Sequence, residues 1–340
     1  MVGITSLIVV VMHVFCAFTL KDFPALIFAQ FIWKDIYILL MFKQLWSMIH
    51  STIAANRAKY LYGAIFGMGT IGAISGSLIP SFLAVWLGSE KLFLCTLPLY
   101  CILYFCYREA FKRSALDQTD FVKHLTLDAR PREGFALIRR SSFLTIALIL
   151  VILMQVSVGL MDYQFNSYLE SNIADKDLRT VYVGHIVGFT NALSLALQFF
   201  GGFIMVRFLG IRGSHLFVPI ALLMNALVAQ AIPSFAVISF GYVAIKAVDF
   251  SLFGVIRELL YIPMKLDEKF RAKAIIDIFA YRSSKALVSL CILTLQGFLG
   301  VKILGITSMV SVATILLWIG AVFFLFYRKS PSRATELSAE

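Results

Sequence analysis

KAVDFSLFGVIRELLYIP, from Lys246 to Pro263, is the stretch on which the reading of this chain turns. Most of it is apolar, yet it holds Lys246, Asp249, Arg257 and Glu258. In a soluble protein four such charges would mark a solvated helix face. Here the surroundings argue otherwise. Hydrophobic residues make up 60% of the 340 positions and charged residues only 14%, against about a quarter charged in a soluble domain. A chain this long and this apolar reads as a protein that crosses a bilayer several times. The four charges then lie inside a membrane span, where an ionisable group is costly and faces a cavity or a partner.

Ten apolar runs approach or exceed the ~20 residues needed to span lipid. They cover about 2–20, 24–53, 63–87, 91–107, 142–163, 181–206, 214–231, 234–262, 274–298 and 301–327. The runs are continuous and do not alternate, which favours helices over a barrel. The first run lacks a basic leader and a small-residue cleavage site, so it reads as a span and not a signal peptide. The fold class expected is an all-α polytopic membrane protein.

Loop charges orient the spans. With a cytoplasmic N-terminus, 19 lysines and arginines fall in cytoplasmic loops and five outside, the five being Lys21, Lys91, Lys176, Arg179 and Lys302. That bias places both termini in the cytoplasm. The net charge of +11 is spread between apolar runs and forms no basic module, which argues against nucleic-acid binding. The mixed-charge loop 108–141 divides an N-terminal bundle of four spans (1–107) from a C-terminal bundle of six (142–328), and 329–340 forms a cytoplasmic tail. Six plus six spans around a long cytoplasmic loop is the plan of the major facilitator fold. This chain matches that plan with the first two spans missing. GGFIMVRFLGIR (Gly201–Arg212) resembles the C-half copy of the facilitator loop motif, without its usual acid. A helix C-cap followed by positive-inside arginines explains the same residues.

The intramembrane polar residues carry the chemistry. On a continuous helix Lys246 and Arg257, 11 residues apart, point the same way within about 20°. Phe253 lies on that stripe, Asp249 pairs with Lys246 at i,i+3, and Glu258 is turned about 120° away. In FRAKAIIDIFAYRSSKALVS, Asp277, Arg282 and Lys285 fall on adjacent turns, and the two cations call for an acid on another helix or an anionic ligand. In FIWKDIYILLMFKQLWSMIHS, Lys43, Trp46 and His50 share a face, with Lys34 and Asp35 further out. A cation beside an indole suits a phosphate plus a stackable base. Pairing of Lys43 with an acid and simple packing of Trp46 is the alternative. Gln155 and Asp162 share a face, as do Asn191 and Gln198. They line a polar path or make interhelical hydrogen bonds.

Other chemistries are poorly represented. Cys16, Cys95, Cys101, Cys106 and Cys291 sit in apolar runs without a CxxC pair or metal-ligand spacing. Gly63/Gly67 and Gly72/Gly76 form GxxxG pairs within a span, which suits helix packing and not a phosphate loop. There is no nucleophile motif, so an enzyme is not expected, nor is a cofactor.

RELLYIPMKLDEKFRAKAIIDIFAYRSSKA (Arg257–Ala286) resembles the signature of the ATP/ADP translocases, nucleotide transporters of plastids and intracellular bacteria. The matching positions are Arg257-Glu258, Tyr261-Ile262-Pro263, Asp267-Glu268, Arg271-Ala272-Lys273-Ala274, Asp277, Arg282 and Lys285. A looser match runs through Asp35, Leu45, Trp46, Ala58, Lys59, Tyr62, Phe66 and Gly67. Arg57 stands where the family usually has an acid, and Leu287 and Val288 replace small residues. The resemblance implies nucleotide exchange across a membrane by alternating access, with intramembrane charges contacting phosphates. The expected substrate-binding residues are Lys34, Lys43, Trp46, Lys246, Arg257, Arg282 and Lys285. The expected coupling or ion-pair residues are Asp35, Asp162, Asp249, Glu258 and Asp277. A small anionic substrate, a nucleotide first, and the lipid bilayer are the expected partners, in a bacterial inner (plasma) membrane. A proton-coupled facilitator of another solute is the alternative, and a truncated, nonfunctional remnant is the third.

Overall fold

The computed structural model of the chain describes residues 7–12, 14–15, 29–30, 32–34, 36–42, 44–45, 55–113, 131–254, 257, 275–299 and 303–327. Expectations for Asp35, Lys43, Trp46, His50 and Glu258, for most of spans 2–20 and 24–53, for most of the linker, for the tail and for signature residues 258–274 lie outside these. The described elements are all helical, joined by short turns. In chain order its long helices are α1 (Ala55–Leu87), α2 (Thr96–Arg113), α3 (Pro131–Arg140), α4 (Ser142–Asn172), α5 (Lys176–Ala196), α6 (Gly202–Ala231), α7 (Phe235–Phe250), α8 (Tyr281–Leu299) and α9 (Ile303–Tyr327). A 3-10 turn, Lys91–Cys95, precedes α2, and π turns Leu197–Gly201 and Ile275–Ala280 precede α6 and α8.

Six of the expected spans are matched by described helices long and apolar enough to cross a membrane: Gly67–Leu87, Ser142–Asn172, Lys176–Gly201, Arg212–Ala231, Phe235–Gly254 and Ile303–Phe326. Run 91–107 and the described part of run 274–298, from Ile275, are helical but less regular. The first is split by its 3-10 turn, and α2 ends in Arg108, Glu109, Lys112 and Arg113. The second starts as a π turn. The run expected at 142–163 continues as helix to Asn172, because no Gly or Pro interrupts its polar tail. Ser141 caps its start by accepting from the Leu144 N–H at 3.4 Å. At 31 residues, α4 is about 46 Å long and outreaches the ~30 Å hydrocarbon core.

The chain divides into two compact units. The first is Met1–Asp128 with Asp175–His185, and the second is Ala129–Ala174 with Ile186–Glu340. In the first unit, Val9, Tyr37 and Met41 form a small core, and Tyr37 meets Tyr100 of α2 edge-on at 5.5 Å. The start of α5 packs closely on α1: a methyl added at Gly184 would strike the Ser81 hydroxyl and approach the Ser77 carbonyl to 2.8 Å. The expected GxxxG packing at Gly67, Gly72 and Gly76 meets no partner among the described residues: nothing lies within 4 Å of a methyl built at any of the three. The small-residue contact falls on Ser77, Ser81 and Gly184 instead.

In the second unit α4 is the central helix. It packs against α9, α7, α8 and α3, while α6 packs on α9 and α7. Its buried residues include Met154, Gln155, Val158, Gly159 and Phe165, so apolar and polar positions are enclosed together. Leu160 joins Val288 and Ile292 of α8 and Ile303 of α9 in one core cluster. Bulky residues such as Phe240, Phe298 and Leu317 point outward, as a lipid-facing surface requires. α6 breaks at Gly210, whose φ of 66° is a left-handed value that suits glycine. The turn sits within the Gly201–Arg212 motif and separates a short arm from the span Arg212–Ala231.

Candidate functional site

The second unit gathers several polar side chains from α4, α7 and α8. Lys246 on α7 is buried, and its ammonium grips both carboxylate oxygens of Asp162 on α4, at 2.7 and 2.8 Å. The Lys285 Nζ on α8 lies 3.9 Å from the same carboxylate. One aspartate therefore answers two lysines. Asp249, one turn beyond Lys246, is buried too. Its two oxygens accept from Gln155 Nε2 and from the Tyr281 hydroxyl, each at 3.0 Å. Aromatic rings complete the wall. The Lys246 Nζ sits 5.5 Å from the Tyr242 ring centre, and Phe165 stacks on Tyr242 at 4.1 Å.

Local structure explains the placement. Gln155 and Asp162 are two turns apart on α4 and so share a face, as their spacing predicted. Tyr242 and Lys246 are four residues apart on α7, as are Tyr281 and Lys285 on α8. A methyl built at Gly159 would lie only 2.9 Å from Val288 Cγ1. This close approach brings α4 and α8 together one turn from both Asp162 and Lys285.

Three expectations need correction. Lys246 does not pair with Asp249, because Asp249 turns to Gln155 and Tyr281 while the lysine reaches across to Asp162. The stripe Lys246–Phe253–Arg257 assumed one unbroken helix. α7 ends at Phe250, and Ser251, with φ −126° and ψ −86°, leaves helical geometry between the first and second members. Arg257 does lie over the Phe253 ring at 5.6 Å, but it borders a small cavity with His215, Val218 and Trp318. The shared face of Asn191 and Gln198 also fails, since Gln198 falls in a π turn and is exposed.

Of the other expected residues, Arg282 is exposed on α8 and makes none of the contacts above. Lys34 belongs to the first unit, and Asp277 lies in the π turn before α8. Tyr242, Tyr281 and Phe165 were not singled out by sequence. The i,i+4 spacing of each tyrosine from a lysine is the signal that marks the first two. Phe165 has no such mark.

The cluster is formally neutral, with two lysines against two aspartates. Burying charge inside a span is tolerable only with direct partners. Chemically the group offers two ammonium donors beside aromatic faces, with an acid that occupies them.

A sequence model of the TLC ATP/ADP transporter family matches residues 23–328. Two curated relatives are the ADP,ATP carrier protein 1 of Chlamydia trachomatis serovar D and that of Chlamydia muridarum. Each is 25% identical, over 90% of this chain and 66% of its own length. The Chlamydia pneumoniae ADP,ATP carrier protein 1 is 23% identical over 50% of this chain and 37% of its own length. The chain thus spans about two thirds of the length of the first two relatives.

Proposed function

The chain belongs to the TLC ATP/ADP transporter family, and on that premise we propose that it exchanges nucleotides of the ATP/ADP type across a bacterial inner membrane. Transport runs by alternating access of an N-terminal and a C-terminal helical bundle, with both chain termini cytoplasmic. The observation that carries the reading is the lysine pair of the C-terminal unit, buried Lys246 and half-exposed Lys285, around Asp162. Ionisable groups retained within spans mark substrate and ion pathways. Phosphate oxygens are strong acceptors for such donors. Arg257, Arg282, Lys34, Lys43 and Trp46 are the further candidates for substrate contact, and Asp35, Glu258 and Asp277 for coupling or ion pairing.

The test is exchange in proteoliposomes. Labelled ATP outside is expected to enter vesicles preloaded with ADP, and neutralising Lys285 or Arg257 is expected to abolish uptake. A folded, inserted protein that takes up neither nucleotide defeats the proposal. A second reading, proton-coupled transport of another solute, draws on Asp249. Among the described residues the donors in direct contact with that buried carboxylate are neutral, Gln155 and Tyr281. Uptake that requires a proton gradient, with no protection of the protein by nucleotide against heat, distinguishes it.

A further inference from the structure

The geometry points to Asp162 as a built-in stand-in for substrate phosphate: it occupies Lys246 and Lys285 in the empty site and is displaced from them when a phosphorylated ligand binds. The inference rests on the proposed nucleotide exchange and names how that site is regulated.

Three observations carry it. First, Asp162 holds Lys246 through both oxygens and reaches Lys285 with one of them. A carboxylate bridging two ammonium groups satisfies the same donors a phosphate would. Second, exposure is graded across the group. The Lys246 side chain is 9% exposed, Asp162 26% and Lys285 44%. The acid and the outer lysine are more open to a ligand than the inner lysine, which Asp162 grips with both oxygens. On that grading a ligand engages Lys285 more readily, and it competes with the carboxylate for Lys246. Third, the other acid is otherwise engaged. Both oxygens of Asp249 accept from neutral donors on α4 and α8. When a ligand arrives, the group free to give way is therefore Asp162.

The charge bookkeeping explains why such a device suits a carrier that exchanges one ligand for another. An unpaired ammonium at mid-span is costly. With Asp162 in place, the empty bundle stays neutral. When phosphate takes over the lysines, the carboxylate turns toward the solvated side of the site. Neither state strands an ammonium without an anion. The same arrangement lowers apparent affinity, because the ligand competes with an acid tethered at high effective concentration. That competition promotes release.

Asp162 is a positioning residue in this scheme, so the test separates affinity from rate. Full-length protein is purified in detergent and probed with labelled ADP and, separately, with pyrophosphate. Exchange is followed in proteoliposomes. Asp162→Asn is expected to tighten binding of both probes severalfold and to slow exchange at saturation. Asp162→Asn with Lys246→Gln, which removes a phosphate donor as well as the competitor, is expected to bind both probes more weakly than wild type. Weaker binding by a monodisperse Asp162→Asn protein overturns the inference. So does wild-type affinity and rate in the double variant, since a purely structural ion pair predicts that recovery. If Asp162→Asn fails to insert, Lys285→Gln serves, and unchanged affinity for pyrophosphate overturns the scheme. A wild-type protein that binds pyrophosphate but not ADP removes the nucleotide reading and leaves the displacement standing. Binding of neither probe by wild type and Asp162→Asn removes both.

Discussion

Gly159→Ala tests the seam that sets the lysine–aspartate geometry. A methyl built at Gly159 lies 2.9 Å from Val288 Cγ1 and 3.4 Å from its Cβ. Carbon atoms pack best at about 3.5–4.0 Å. Relief by a parting of α4 and α8, rather than by a turn of the Val288 side chain, would take roughly 0.6–1 Å at this level. Gly159 is one turn before Asp162, and Val288 one turn after Lys285, so the separation acts on the ion pair. The Lys285 Nζ starts 3.9 Å from Asp162 and would be carried to about 4.5–5 Å, beyond direct contact. Overpacking of this kind costs about 1–3 kcal/mol. Val288→Ala removes the two methyl groups in the way, so Gly159→Ala should cost little in that background. A double-mutant cycle on the purified protein, read by reversible denaturation in detergent, should give a coupling of about 1–2 kcal/mol. The same cycle on exchange rate should show Gly159→Ala slowing transport and Val288→Ala relieving it. Equal costs of Gly159→Ala in both backgrounds would refute the close approach and its link to Lys285.

Breaking the inner ion pair should be costly. Lys246→Met leaves Asp162 with Lys285 and partial solvent access, so the loss should fall below the ~3–5 kcal/mol of a fully buried pair, and Asp162→Asn with Lys246→Gln should cost less than Lys246→Met alone. Thermal unfolding checks the order. Tyr281→Phe removes one of two hydrogen bonds to Asp249 and should cost about 1.5–3 kcal/mol, the range for a bond to a charged group. In the first unit, Asp175 accepts from the Leu178 N–H at 2.8 Å as the cap of α5, so Asp175→Ala should lower stability by about 1 kcal/mol in the same assay. The Ser89 and Thr180 hydroxyls are 2.7 Å apart, close enough that the S89C/T180C pair should form a disulfide under mild oxidation. A gel shift after cleavage between the two positions would show it, and its absence would place the α1 end away from α5.

The helices were legible in sequence because lipid permits few alternatives: a run such as 303–327 has no other way to satisfy its backbone. Gln155 and Asp162 were legible because α4 is unbroken between them. The partner of Lys246 was not. It lies 84 residues away, and helical spacing ranks only neighbours on the same helix. The stripe through Arg257 failed for a related reason, since angular arithmetic holds only while the backbone stays helical and Ser251 leaves it. The glycine pairs of α1 showed that a small-residue pattern permits close packing without deciding which turn uses it. Gly184, the first glycine of a Gly184/Gly188 GxxxG pair not singled out by sequence, meets α1 at Ser77 and Ser81.

The π turn Ile275–Ala280 sits immediately before Tyr281. It holds one residue more than a regular turn would, which amounts to about 100° of stored rotation. If that extra residue travels forward along the helix, Tyr281 and then Lys285 are re-aimed around the axis of α8 while its hydrogen-bond ladder stays closed. α8 then behaves as a screw with slack in one thread. The contacts at Asp249 and at Asp162 can be released one after the other, without lifting the helix from its place against α4.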